Sequence, residues 1–193
     1  MSAGFTEQQK EEIRKKLISA GKELAVTIGF KKMTVALVAK SAGVAVGSFY
    51  NFFESKESFA LAIIRDTGEQ HFQSVTAGMK DGRIPLDKFL DSYRDFFRPE
   101  NNFMLNIRLE DWAWLMSHIS DKSVFTDPAN TAQIAETLKY IDGVRPDADI
   151  AVVVNFIKTI YAAYQNKDIL YERALQTNVD LIFDAIYRYM KGE

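Results

Sequence analysis

The residues able to do chemistry are few, and they cluster. Cysteine is absent, and histidine occurs twice, at His71 and His118. That removes thiolate zinc sites, iron–sulfur clusters, disulfide frameworks and cysteine nucleophiles, and it leaves no set of histidines to hold a metal. No carboxylate pair, nucleophile elbow or phosphate-cradling glycine loop occurs, so the chain does not read as an enzyme and calls for neither cofactor nor metal. One stretch does gather charge among large rings: Arg108, Glu110, Asp111, Trp112, Trp114 and His118. Glu110, Trp114 and His118 fall at i, i+4 and i+8, one face of a helix. A few polar groups in an aromatic setting are what a small-molecule site is built from, and 17 aromatic residues follow residue 60. These six residues, with Tyr161 further on, are the expected ligand contacts. A surface cluster beside core tryptophans accounts for the same letters.

The other chemistry is charge. The net charge is −2, but it is unevenly spread. Residues 1–60 hold 9 Lys/Arg against 6 Asp/Glu, and residues 61–193 hold 15 against 20. A small basic module on a larger acidic one is a weak pointer to an anionic partner.

The elements that must position these groups are helices. Gly and Pro number 10 and 4 among 193 residues, too few for a turn-rich β fold. Ile13, Leu17, Ala20, Leu24 and Ile28 recur at spacings of three and four, a helix over Glu7–Ile28 that Gly29 ends. Thr34 is an N-cap for a second helix, Val35–Ser41. Gly43 breaks it, and a third short helix is predicted over Ala45–Phe53. Ser55 opens a fourth, with Phe59, Ala60, Ile63 and Ile64 on its apolar side. Five more are predicted near 86–98, 103–120, 128–142, 147–166 and 170–190, about nine in all, with Asp127-Pro128 as one start and Gly143 as a stop. The fold class is all-α. Met1–Thr34 carries no apolar targeting segment. The most apolar stretch, Ile150–Tyr164, is interrupted by Asn155 and Lys158 and is too short to span a bilayer. The expectation is a cytoplasmic protein with no membrane partner.

The second and third helices have the helix-turn-helix outline. Ala39 is small enough for two helices to approach, Gly43 permits positive φ, and Val44 and Phe49 can bury the back of the third helix. The run from Gly29-Phe30 through Thr34, Ala42-Gly43-Val44, Gly47-Ser48-Phe49-Tyr50 and Phe53-Glu54-Ser55-Lys56-Glu57 resembles the DNA-binding domain of the tetracycline-repressor (TetR/AcrR) family. The match covers about residues 8–60. The remainder shares with that family only length and helical character.

The resemblance implies a DNA-binding domain at 1–54 and a ligand-binding and dimerisation domain at 55–193. It places Thr34, Tyr50 and Lys56 where such repressors touch DNA phosphates. It puts Ala45, Val46, Ser48 and Asn51 on a recognition helix facing base edges. Asn is suited to adenine, and Ala and Val to thymine methyls. Ala45–Glu54 contains no Arg or Lys, which argues against a guanine-reading contact set and for help from DNA shape. The resemblance also implies a homodimer through the last two helices. The letters agree: Val153, Ile157, Ile160 and Tyr164 on one, and Leu175, Val179, Ile182 and Ile186 on the other, cover wide arcs that need burying. The expected function is a repressor released from a pseudo-palindromic operator, in double-stranded DNA, by a small effector. The alternative is a helix-turn-helix regulator without inducer, controlled by a protein partner.

Overall fold

A computed structural model describes residues 5–77, 79, 81–119 and 136–193. They group into two units. One comprises residues up to 68 together with 107–119, and the other 69–106 together with 136–193.

In the first unit, α1 spans Glu7–Thr27. A capping box starts it: Thr6 Oγ1 accepts the Gln9 N–H, and Gln9 Oε1 accepts the Thr6 N–H. Its buried face is Leu17, Ile18, Ala20, Gly21 and Ala25. A Cβ on Gly21 would lie 2.5–2.8 Å from Ile63 and Phe59, so α1 meets the fourth helix at a point only glycine allows. Thr34 caps α2, Val35–Ser41, through its hydroxyl and the Leu37 N–H. Gly43 takes φ +68° in the turn, and the Val44 N–H returns to the Ala39 carbonyl at 2.9 Å. Next, α3 is only Val46–Phe49. It stops short of the expected Phe53 because the Phe49 carbonyl serves the amides of both Phe52 and Phe53, tightening the chain into a turn. Phe49, Phe53 and Phe59 then pack with ring centroids 4.8–5.4 Å apart. Ser55 and Ser58 exchange side-chain-to-amide hydrogen bonds at the start of α4, Lys56–Ala77. The chain crosses into the second unit after Gly68 and returns at Ile107.

In the second unit, α5 spans Leu86–Phe96 and is followed by a 3-10 turn at Phe103–Asn106. The single helix expected over 103–120 is therefore divided; its second part is α6, Leu109–His118, which belongs to the first unit. Ile84-Pro85 pairs in parallel with Ile141-Asp142, a two-residue bridge. The helix expected at 128–142, with its start at Asp127-Pro128, lies mostly outside the described residues; 136–138 are helical. Gly143 adopts φ +89°. Two long helices follow: α7, Ile150–Gln165, and α8, Leu175–Lys191. The second begins five residues later than expected, after short 3-10 turns at 167–169 and 172–174. Phe89, Leu90, Phe97, Ile160, Leu175, Val179, Phe183 and Ile186 form the centre of this unit's core.

Candidate nucleic-acid interface and effector cavity

The turn and α3 present a continuous exposed surface. Ala45, Val46 and Asn51 are exposed, Val46 by 45%, and Ser48 is half-buried. Phe49 is fully buried beneath them and fixes α3 from behind. Tyr50 is 57% exposed, its ring edge-on to Phe49 at 5.4 Å, so the phenol is held at its base and free at its tip. A Cβ on Gly47 would meet nothing within 4 Å. Thr34 is exposed at the mouth of α2. Lys31, Lys32 and Lys40 are exposed, and none forms an ion pair among the described residues. These three lysines, and Leu37 at 42% exposure on α2, are surface that reading the third helix alone overlooks. The signal for them was the basic excess of residues 1–60.

Lys56 sits differently. Its ammonium donates to the Lys31 carbonyl at 3.0 Å and lies 4.1 Å from the centre of the Trp114 ring. Burial lowers its pKa, while Glu57 and Asp111 raise it.

The charged and aromatic cluster of α6 lies in this same unit. Asp111 has no exposed surface. Its Oδ1 accepts the Lys31 N–H at 2.8 Å, and its Oδ2 accepts Arg108 Nε and Nη2 at 2.9 and 2.8 Å. Arg108 Nη2 also donates to the Ile28 carbonyl at 2.8 Å. Gly29 lies between these attachments at φ +86°, and a Cβ there would strike Arg108 and Asp111. Glu110 approaches Arg108 at 3.5 Å. Trp112 is buried, and His118 stacks on Trp114 at 4.6 Å. Arg108 and Asp111 are thus committed to the chain's own backbone rather than open to a ligand.

A cavity of about 300 Å³ opens in the second unit, and none of those six residues lines it. Its wall comes from α5, α7 and α8, including Phe89, Tyr93, Val153, Ile157, Tyr161 and Phe183. Lys158 is the one charged residue of the lining among the described residues. Of the seven expected ligand contacts, only Tyr161 is here. Its hydroxyl accepts from Asn102 Nδ2 at 3.2 Å. Burial raises the pKa of both Tyr161 and Tyr93, so each phenol stays protonated and able to donate. The size and apolar lining are those of a small-molecule site. Sequence periodicity marks these side chains as apolar but cannot separate a wall from a filled core.

The remaining observation is likeness to known proteins. Residues 17–63 match the family described as bacterial regulatory proteins, tetR family. Over that segment the chain is similar to the tetR family. Relatives that share the match include the HTH-type transcriptional repressor NemR of Escherichia coli K12, 32% identical over 73 residues, 38% of this chain and 37% of that protein. The chain thus spans less than two-fifths of NemR's length. The HTH-type transcriptional repressor KstR2 of Mycolicibacterium smegmatis is 26% identical over 160 residues, 79% of this chain and 78% of that one. The crystal structure of a TetR family transcription regulator from Marinobacter aquaeolei aligns over 95% of this chain and 98% of its own, with TM-score 0.58 and 19% identity. That is likeness of fold. It extends the tetR resemblance beyond the N-terminal helices to the whole all-α architecture. These relatives are named as regulators of transcription, not as enzymes.

The residues expected at a dimer interface divide. Ile160, Tyr164, Leu175, Val179 and Ile186 are buried within the chain itself. Val153 and Ile157 line the cavity, and Ile182 is half-buried. Most of the α8 stripe packs into the core of the second unit, whereas on α7 only Ile160 and Tyr164 are buried and Val152–Val154, Phe156 and Ile157 stay half-buried. Apolar surface left exposed lies elsewhere: Leu181 on α8, and Ile169, Leu170 and Tyr171 in the turn before it.

Proposed function

We propose that this chain is a homodimeric, DNA-binding transcriptional regulator, a repressor that leaves a pseudo-palindromic operator when a small, mainly apolar molecule enters the cavity of the second unit. DNA binding falls to residues 1–54 together with Lys56 just beyond them: Thr34, Tyr50 and Lys56 on phosphates, and Ala45, Val46, Ser48 and Asn51 on base edges. Effector binding and dimerisation fall to 55–193. The observation that carries the reading is the exposed surface of Ala45, Val46, Tyr50 and Asn51 on a helix anchored from behind by fully buried Phe49. The names of the tetR relatives support repression. The cavity supports an effector, and exposed Leu181 and Ile169–Tyr171 are surface of the kind a second subunit covers. Paired recognition helices on a two-fold axis fit half-sites about 34–36 Å apart, or multiples of that. An effector weakens binding only by its differential affinity for a state that does not fit.

The test is selection of random duplex DNA by the purified protein, with affinity for the winner measured across salt concentrations. A pseudo-palindrome bound tightly, with affinity falling steeply as salt rises, is the expected result. No enriched sequence refutes it.

A further inference from the structure

The short turn Ile28–Lys31 joins α1 to the segment leading into α2, and three of its backbone groups are held by side chains distant in sequence. Arg108 takes the Ile28 carbonyl, Asp111 takes the Lys31 N–H, and Lys56 takes the Lys31 carbonyl. Two of the three come from the start of α6, some 80 residues away. The third comes from the first residue of α4. A carboxylate without exposed surface is costly unless every lone pair is used, and Asp111 uses both oxygens, one on the turn and one on the Arg108 fork. Gly29 removes the Cβ that would push the pair away. Thr34, the cap of α2, follows Lys31 by three residues.

We infer that Asp111, with Arg108, is a positioning residue for DNA binding: the pair fastens the Ile28–Lys31 turn to α6 and so sets where Thr34 and Lys56 stand. This role rests on the DNA-binding reading above, because Asp111 is buried and touches no DNA itself. If the fastening is lost, Arg108 is no longer held in place to take the Ile28 carbonyl, and the turn shifts. The starts of α2 and α4 then no longer hold one spacing. The number of phosphate contacts available stays the same; their simultaneous fit does not. α6 thereby becomes part of the DNA-binding unit, although it follows the whole of α5 in the chain.

The test uses Asp111→Asn in the full chain, which keeps an oxygen for the Lys31 N–H but removes the charge that holds Arg108. The chain has no cysteine, so Lys40→Cys with Ala113→Cys gives a unique spin-label pair on two exposed positions. Labelled chain is diluted with unlabelled chain so that only distances within one chain report. The expected result is a single narrow distance in the parent and a broadened one in Asp111→Asn. Affinity for the selected duplex falls about tenfold or more, with the salt slope unchanged. A simple loss of folding would instead abolish the circular dichroism signal at the assay temperature. Should Asp111→Asn fail to fold, Arg108→Gln is measured in its place. Affinity within about twofold of the parent in a folded variant overturns the inference. So does a lost affinity with the parental distance distribution. A parent that enriches no duplex overturns the DNA-binding reading and this role with it, and the distance distributions then separate a clamp that is only structural from none.

Discussion

His71 gives a prediction whose size follows from its surroundings. The imidazole stacks on Phe96 at a centroid distance of 4.2 Å and meets the edge-on ring of Tyr93 at 4.4 Å. Its Nε2 is buried with no hydrogen-bond partner among the described residues. Burial pushes its pKa down from 6.5 to about 4, with the Asp95 carboxylate opposing the shift weakly. The native state therefore prefers neutral His71. Above pH 6.5 neither state binds the proton and the full stability is present. As pH falls through 6.5 the unfolded chain takes a proton that the native state refuses, so stability drops until about pH 4. At pH 5 the linkage relation caps the loss at about 2 kcal/mol, and because the ring is only half-buried, solvent screening halves that to about 1 kcal/mol. His71→Phe keeps the stacking and removes the titration. Urea unfolding followed by circular dichroism at pH 7.5 and pH 5 is the assay. With a slope of about 2 kcal/mol per molar urea, the wild-type midpoint should fall by about 0.5 M more than that of His71→Phe. The comparison cancels the pH response of the rest of the chain. Equal pH dependence in the two proteins, within about 0.1 M, would refute the reasoning.

Other outcomes are expected as follows. Tyr50→Ala and Lys56→Ala should weaken binding to all duplexes alike, Lys56→Ala also reducing the salt slope by about one, whereas Asn51→Ala should relax the preference at one base position by about 1–3 kcal/mol, read by competition with point-changed duplexes. Ile157→Trp should fill the cavity: DNA affinity stays, while release by whatever effector a ligand screen yields needs at least about tenfold more of it, measured by anisotropy of labelled duplex. Gly29→Ala should cost at least about 2 kcal/mol, from the left-handed conformation and the displaced Arg108–Asp111 pair, and lower the melting temperature by about 4 °C or more. A melting temperature equal to wild type would mean the turn relaxes freely.

The helix-turn-helix was legible because its signals are local: a capping Thr34, a turn glycine at Gly43, and apolar Val44 and Phe49 at fixed offsets. The α1 stripe was legible in part: Leu17 and Ala20 are buried as expected, Ile13, Leu24 and Ile28 are half-buried, and Ile18, Gly21 and Ala25 join the buried face. What escaped was whatever depends on pairs far apart in the chain. Nothing about Lys31 announces that its amide will find a carboxylate 80 residues on. The letters of Arg108–His118 indicated buried polarity, which is correct for Asp111, but burial against protein and burial against a ligand look alike in a sequence. Likewise an all-round apolar α7 demanded cover without saying whether α5 and α8 or another chain supplies it. The division of 103–120 turned on where the chain recrosses between units, a tertiary matter.

Both tryptophans of the protein, Trp112 and Trp114, stand on α6 within the clamped unit. Trp114 carries an ammonium over its ring and an imidazole stacked against it. A charge beside an indole shifts the energy of its excited state, so the emission of the whole molecule reports on the surroundings of a single helix. The proposed phosphate contact would draw on the same Lys56 ammonium that polarises this ring. On the proposed reading, the colour of the unmodified protein's fluorescence should shift when DNA binds, so that occupancy is followed with no label at all.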